Sequence, residues 1–234
     1  MYSAFISGIY IPLYSLLVWI ISVIPGGDVG LALVILTLII RFLLLPLSIK
    51  TSKAQKVLRE IQPKLDEIKK KYTDQREMAE KTMALYREHN VNPFSAILIP
   101  LVQIPVIIGL YVVFANGGLP TITPEYLYWF VSIPETVSMH FLGVIDMAAK
   151  SIPLAILAGI SQYAYAQVMP APQIQNEPSF ANDFAKGMQL QMTYVLPIVI
   201  GFVAYSISAA VALYLLVGNV FSFCTELYLK RGMK

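Results

Sequence analysis

Long apolar stretches alternate along this chain with one strongly polar block. A bilayer core about 30 Å thick is crossed by roughly 20 consecutive apolar residues in helical form. Residues 29–49, 93–114 and 152–169 meet that requirement. The stretch 192–229 is apolar throughout, and as one helix it would run about 57 Å, nearly two membrane thicknesses. It divides into two shorter spans, 192–209 and 211–229, around a tight turn near Ser206–Ala210. The pattern predicts an all-α integral membrane protein, a single domain of five transmembrane helices.

Between the spans the period changes. In 51–90, Val57, Leu58, Ile61, Leu65, Ile68 and Tyr72 recur at steps of three and four, the seam of a helix that packs on a partner. Asp74 with Glu77 opens a second helix in the manner of a capping box, with Ala79, Met83 and Tyr86 as its stripe. The product expected is an antiparallel helical hairpin, interrupted in its first arm by Pro63. Asn92-Pro93 then starts the second span. Residues 1–24 are apolar and uncharged. Pro12, Tyr10, Tyr14 and Trp19 suit a helix lying along the headgroups, with a sixth span as the alternative. Segment 115–151 carries Tyr126, Tyr128 and Trp129, which suit a short helix at the interface. Prolines 100, 105, 153 and 197 are candidate kink sites, and 170–191 reads as a loop.

Composition agrees with the bilayer. Hydrophobic residues make up 57% of the chain, charged residues only 13%, and mean hydropathy is +0.66. Soluble domains carry about 25% charged residues, so a water-facing surface is excluded. A net charge of +3 is too small to imply nucleic acid. The cations cluster in 50–87, at Lys186, and at Lys230, Arg231 and Lys234; segment 115–151 holds Glu125, Glu135, Asp146 and a single Lys150. The positive-inside rule makes the first group cytoplasmic, with the N-terminus outside and the C-terminus inside. The lone Cys224, within an apolar run, reads as a buried, inert thiol. His89 and His140 stand apart, so no metal site is expected.

Arg41 is the residue that carries most information. It lies thirteenth in the span 29–49, where an arginine costs roughly 2.5–3.5 kcal/mol, against about 0.3–0.6 returned by each large aliphatic neighbour. Such a charge faces a protein interior or a water-filled cavity. The alternatives are snorkelling to the headgroups or a structural ion pair, for which Glu226 is the available carboxylate. Thr37 lies one turn away on the same face. Gln103 in the second span, Gln162 and Gln167 in the third, and Asn219 and Ser222 in the fifth are polar within apolar runs. Each alone suits helix packing; with Arg41 they would line a polar groove. Phosphate loops, paired-histidine metal motifs and GxSxG turns are missing from the sequence, so no enzyme and no cofactor is expected.

Several segments together resemble the YidC membrane-insertase family, which includes the Oxa insertases of mitochondria and their thylakoid relatives. These are Arg41 with Leu45-Pro46-Leu47, the basic hairpin, Leu85-Tyr86-Arg87-Glu88-His89-Asn90-Val91-Asn92-Pro93, Pro100 with Gln103-Ile104-Pro105, Phe141 to Asp146, and Tyr214 to Asn219. The Pro-Ala-Gly or Pro-Ser-Gly turn usual before the last span appears as Ser208-Ala209-Ala210. The large extracytoplasmic domain of many Gram-negative members and the lipoprotein cysteine of Gram-positive ones are missing, so a short bacterial member of the cytoplasmic (inner) membrane is expected. The resemblance implies insertion of nascent membrane proteins, with the Sec translocon and the ribosome as candidate partners. It places substrates in a cationic groove of Arg41, Thr37, Gln103, Gln162, Gln167, Asn219 and Ser222. Lys53, Lys56, Arg59, Lys69, Lys70 and Lys71 become docking residues for substrate or ribosome. An anion transporter built on Arg41, which predicts inverted repeats, and a purely structural assembly factor are the rival functions. Cysteines placed at Ala79 and Thr121 should label from opposite sides of the membrane; labelling from one side would overturn the span count.

Overall fold

The computed structural model describes residues 6–72, 74–92, 95–115, 118–169, 187 and 190–232. A π-helical turn, Ile6–Tyr10, leads into α1 (Ile11–Val23), and the long α2 (Val29–Glu60) follows. Next come α3 (Gln62–Lys71), α4 (Gln75–Glu88) and α5 (Ser95–Ala115). An irregular segment holds a two-residue hairpin of β1 (His140–Phe141) and β2 (Ile145–Asp146), antiparallel in register His140–Asp146. Then α6 (Ile152–Val168), a π-turn Gln191–Val195 with α7 (Leu196–Ile207), and α8 (Ala209–Gly232) complete the chain. The most extensive packing joins α6 to α7 and α8, and α8 to α2.

Among the described residues, three helical stretches are long and apolar enough to cross a membrane: Ile6–Val23, Val29–Glu60 and Ala209–Arg231; Leu101–Phe114 and Gln191–Ile207 are apolar but shorter. Length alone thus singles out the N-terminal helix, which the sequence assigns to the headgroups. Its polar groups are tied to the irregular segment. The Tyr14 hydroxyl donates to the Gly118 carbonyl at 2.6 Å and accepts from the Thr123 amide. The Ser15 hydroxyl donates to the Tyr126 carbonyl and accepts from the Tyr128 amide.

The end of the bundle that holds residues 118–151, the loop end, is closed. Asp28 starts α2 by accepting from the Leu31 amide with one oxygen and from the Leu142 amide with the other. It therefore caps the helix and pins the β-hairpin across it. Gly30 lets Phe141 press on the helix backbone, since a β-carbon there would overlap the ring. The α7–α8 turn is extended at Ser208, and the amides of Ala209 and Ala210 donate to the carbonyls of Ala149 and Met147. Residues 209–212 are fully buried, so only small side chains fit. The core sits here: Tyr14, Leu17, Leu33, Leu36, Leu110, Val113 and Met147 are all closed to solvent.

The opposite end, which carries α3 and α4, is loosely built. Ile61, Leu65 and Leu85 are its buried residues, with Val57, Leu58, Ile68 and Tyr86 packed around them. Burial between the helices raises the Tyr86 phenol above its ordinary pKa.

Several expectations need correcting. No break separates a first span from the polar helix at residue 50; α2 continues to Glu60 and ends at Ile61, because Pro63 cannot donate to the preceding turn. The inner stripe of α4 is Leu85 with Tyr86, while Ala79 and Met83 face outward, since the α4 face turns by one position to meet Ile61 and Leu65. The Asp74 carboxylate caps α4 through the Arg76 amide. The aromatic segment is a 3-10 turn, Pro124–Tyr126, and no α-helix forms because Ser15 takes up the backbone groups of Tyr126 and Tyr128. Pro153 sits in the first turn of α6, where a missing amide costs nothing, whereas Pro197 lies inside the continuous helical run Gln191–Ile207, just after its π-turn. Cys224 is exposed, on the outward strip of α8 with Val220 and Tyr228. Pro93 and most of 170–191 lie outside the described residues.

Protection against exchange follows buried contact. Amides of 62–88 should exchange with deuterium much faster than those of 209–216 in the purified protein; equal protection would contradict the small α3–α4 interface.

Candidate functional site

Along α2 the environment changes within one turn. Val29, Leu33, Leu36 and Thr37 are buried, whereas Arg41, four residues on, is only partly so and lines a cavity of about 250 Å³ open to one side. Its guanidinium lies against α8 at Gly218. A β-carbon at Gly218 would stand 2.9 Å from both Cζ and Nε of Arg41, so the absent side chain is what admits the cation. The Nε is buried, and no acceptor among the described residues takes its hydrogen. Leu44, Ser48, Phe221 and Ser222 continue the lining from α2 and α8, while α7 contributes Leu196 and Ile200.

The polar residues around Arg41 divide by what they bond. The Gln103 amide donates to the Tyr214 hydroxyl at 2.7 Å, joining α5 to α8. Asn219 donates to the Ala158 carbonyl at 3.4 Å and the Ser161 hydroxyl at 3.3 Å, joining α8 to α6. The Ser222 hydroxyl bonds back to the Gly218 carbonyl. Gln103, Gln162, Asn219 and Ser222 all line the Arg41 cavity. Thr37 lies beneath it, buried, with its hydroxyl donated to the Leu33 carbonyl at 2.6 Å. Gln167 is exposed near the end of α6 and is not part of the lining. Tyr165 and Ser48 line the cavity and were not anticipated. Tyrosine reads as an interfacial residue, and Ser48 sits next to the polar block, so neither stands out in the sequence. Gly218 was legible only as part of a family segment; a glycine within an apolar span is the signal for a close approach.

Glu226 does not neutralise Arg41. It is buried, with Oε2 accepting from the Ser52 hydroxyl at 2.7 Å and Oε1 without a hydrogen-bond partner among the described residues. Eight residues of α8 separate it from Gly218, about 12 Å along the axis. At an effective dielectric of about 20, attraction over that distance is on the order of 1 kcal/mol. Tyr165 lies in the field of both charges. The Arg41 cation in the cavity therefore makes no ion-pair contact with Glu226.

The basic residues of the polar block are mostly solvated. Lys53, Arg59, Lys70 and Lys71 are exposed, Lys56 is half-buried, and Lys71 lies over the Tyr72 ring. Lys69 belongs to α3; its side chain is outside the described set.

A bundle of apolar helices, three of them long enough among the described residues to cross a bilayer, with a polar cavity around Arg41, defines a helical membrane protein. More narrowly, the chain belongs to the 60Kd inner membrane protein family, the YidC-type insertases; the family model matches residues 19–234. It is 33% identical over 224 residues to the membrane protein insertase YidC of Oceanobacillus iheyensis, covering 92% of this chain and 81% of that protein. Identity to the YidC of Clostridium tetani is 34% over 197 residues, covering 84% and 79%. The insertase MisCA of Bacillus subtilis is 29% identical over 226 residues, covering 94% and 76%. Among solved structures, an active YidC insertase with its first transmembrane domain resolved superposes with a TM-score of 0.53 at 22% identity. That match covers 86% of this chain but 41% of the other, which shows the fold.

Replacing a buried, unpaired carboxylate by its neutral isostere relieves desolvation. Glu226→Gln keeps an acceptor for Ser52, so its thermal midpoint in detergent should equal or exceed that of the wild type. A clear drop would mean that the Glu226 charge holds the fold together.

Proposed function

We propose that this protein is a membrane protein insertase that takes nascent hydrophobic segments from the cytoplasm, holds their polar flanks in the Arg41 groove and releases them sideways into lipid. On this reading the loop end is extracytoplasmic and the α3–α4 end cytoplasmic. Five spans cross, formed by α2, α5, α6, α7 with its π-turn, and α8, while α1 lies in the outer interface. The insertase names of its relatives support the activity. The observation that supports the mechanism is Arg41 in a polar-lined cavity, its Nε without an acceptor among the described residues, while Leu33, Leu36, Leu110 and Val113 towards the loop end are fully buried.

The energetics follow from that placement. A carboxylate about 5 Å from Arg41 gains about 3 kcal/mol at an effective dielectric near 20, against less than about 1 in bulk water. An acidic or polar tail is thus drawn in without nucleotide or covalent chemistry. Release into lipid is downhill by about 6–12 kcal/mol for a segment of some 20 strongly apolar residues. Gln103, Gln162, Asn219 and Ser222 keep the wall polar, and Thr37 supports it from below. The exposed cations Lys53, Arg59, Lys70 and Lys71, with Lys56 and Lys69, receive substrate or dock the ribosome; the Sec translocon is the other candidate partner. A transporter needs access to both sides, and the packed loop end disfavours it.

Charge, more than shape, should matter at Arg41. Arg41→Lys is expected to keep most of the insertion activity, and Arg41→Ala to lose on the order of tenfold or more for substrates with an acidic translocated tail. Both should melt near the wild-type temperature, because no ion pair is broken. Reconstituted insertion measured beside thermal unfolding decides the matter. A destabilised Arg41→Ala whose folded fraction inserts normally would sink the mechanism.

A further inference from the structure

A larger cavity lies away from Arg41, on the other side of α7. It is a cleft of about 650 Å³ between α6 and α7, and its floor is bare backbone at Gly159 and Gly201. A β-carbon built at Gly159 would lie 3.2 Å from the Pro197 carbonyl oxygen and 3.7 Å from the Gly201 Cα, so the helices meet there without side chains between them. Ile156, Ile160 and Ile198 form the rims, each more than half exposed. The only polar atoms that its side chains offer are the hydroxyls of Tyr163, Tyr194 and Tyr205.

Two further features restrict what fits. From Ile152 at the loop end to Tyr163, the cleft runs about 16 Å along α6, the depth of one leaflet of a hydrocarbon core about 30 Å thick. At its loop-end mouth stands Lys150, with its ammonium 5.5 Å from the centre of the Tyr205 ring that lines the cleft. Lys150 is the one lysine or arginine in 115–151, a segment that otherwise carries Glu125, Glu135 and Asp146. A single cation is thus placed at headgroup level above an apolar slot one leaflet deep.

We propose that this cleft is a binding site for an anionic glycerophospholipid of the leaflet at the loop end, with its phosphate on Lys150 and its acyl chains along Ile156, Ile160 and Ile198. A transmembrane helix of a partner would fill the apolar slot but leave Lys150 without an anion. A neutral lipid would gain nothing from it either. The bound lipid would back α7 on the face opposite the groove, where Leu196 and Ile200 line the Arg41 cavity.

The test uses the full chain in nanodiscs of phosphatidylglycerol and phosphatidylethanolamine, with the photocrosslinking residue benzoylphenylalanine replacing Ile198. This position reports on the cleft alone, so anionic lipid gathered by the basic hairpin does not enter the readout. Mass spectrometry of the adducts should show phosphatidylglycerol enriched about fivefold over its bulk fraction, the preference that one lysine near a membrane surface gives an anionic lipid. Lys150→Gln should return the adducts to the bulk ratio without changing the thermal midpoint. Adducts at the bulk ratio in the protein with Lys150 intact would overturn the proposal, as would crosslinks mainly to polypeptide, whether a second copy or another protein. Persistence of the enrichment in Lys150→Gln would overturn it too.

Discussion

A guanidinium inside an apolar bundle, without a carboxylate to neutralise it, constrains most of what surrounds it. The hydrocarbon cannot solvate Arg41, so the protein has to supply space and polar atoms on one side and dry packing on the other. The space comes from Gly218, whose missing side chain lets the cation lie on the α8 backbone. The polar atoms come from α5, α6 and α8, where Gln103 and Asn219 also bind the helices to each other. Glu226 is close enough to matter electrostatically, yet Ser52 holds it about two turns away. An ion pair would have satisfied both charges and left nothing to attract a third.

The closed loop end is the counterpart of that constraint. A charge facing an aqueous path through the bilayer would be a leak, so the helices meet tightly beyond Thr37. Small residues at 209–212 let the α7–α8 turn bury itself, and amides there bond to 147–149. Tyr14 and Ser15 let an apolar helix join the irregular segment without leaving its carbonyls unpaired. Asp28 does the same for the start of α2. At the other end, among the described residues, only Ile61, Leu65 and Leu85 are buried between α3 and α4, so the two ends differ in buried contact as well as in charge.

Much of this is legible along the chain because a bilayer simplifies the rules. Apolar length gives the helices, and an arginine in the middle of one is expensive enough to signal its own importance. The turn at Ser208 falls within the predicted Ser206–Ala210 because a run of nearly twice the membrane thickness must fold back. What the pattern does not give is the direction of a side chain whose hydrogen bond is local. Thr37 shares a face with Arg41, but its hydroxyl turns to Leu33. Gln167 is polar within an apolar run, yet it falls where α6 is already open. Gly218 and Tyr165 were missed for the converse reason: their roles depend on what crosses from another helix. Ala79 and Met83 were misplaced because a short amphipathic helix fits more than one phase, and only the partner at Ile61 and Leu65 selects between them.

The element between the Arg41 cavity and the α6 cleft is α7. It is short and follows a π-turn, a feature frequent at functional sites, and only Pro197 and Ala204 are buried along it. Leu196 and Ile200 face the Arg41 cavity, whereas Pro197, Ile198 and Gly201 face the cleft beside α6. The packing of this wall on α6 is nonetheless among the most extensive in the bundle, so α7 is held mainly by that one neighbour. On the proposed insertase reading, substrate would pass beside this wall from the polar groove to lipid without opening the sealed end. Its closest contact with α6, at Gly159 and Gly201, is backbone on backbone, with the Tyr163 and Tyr194 rings packed against each other on the same side, so the wall keeps a fixed seat on α6.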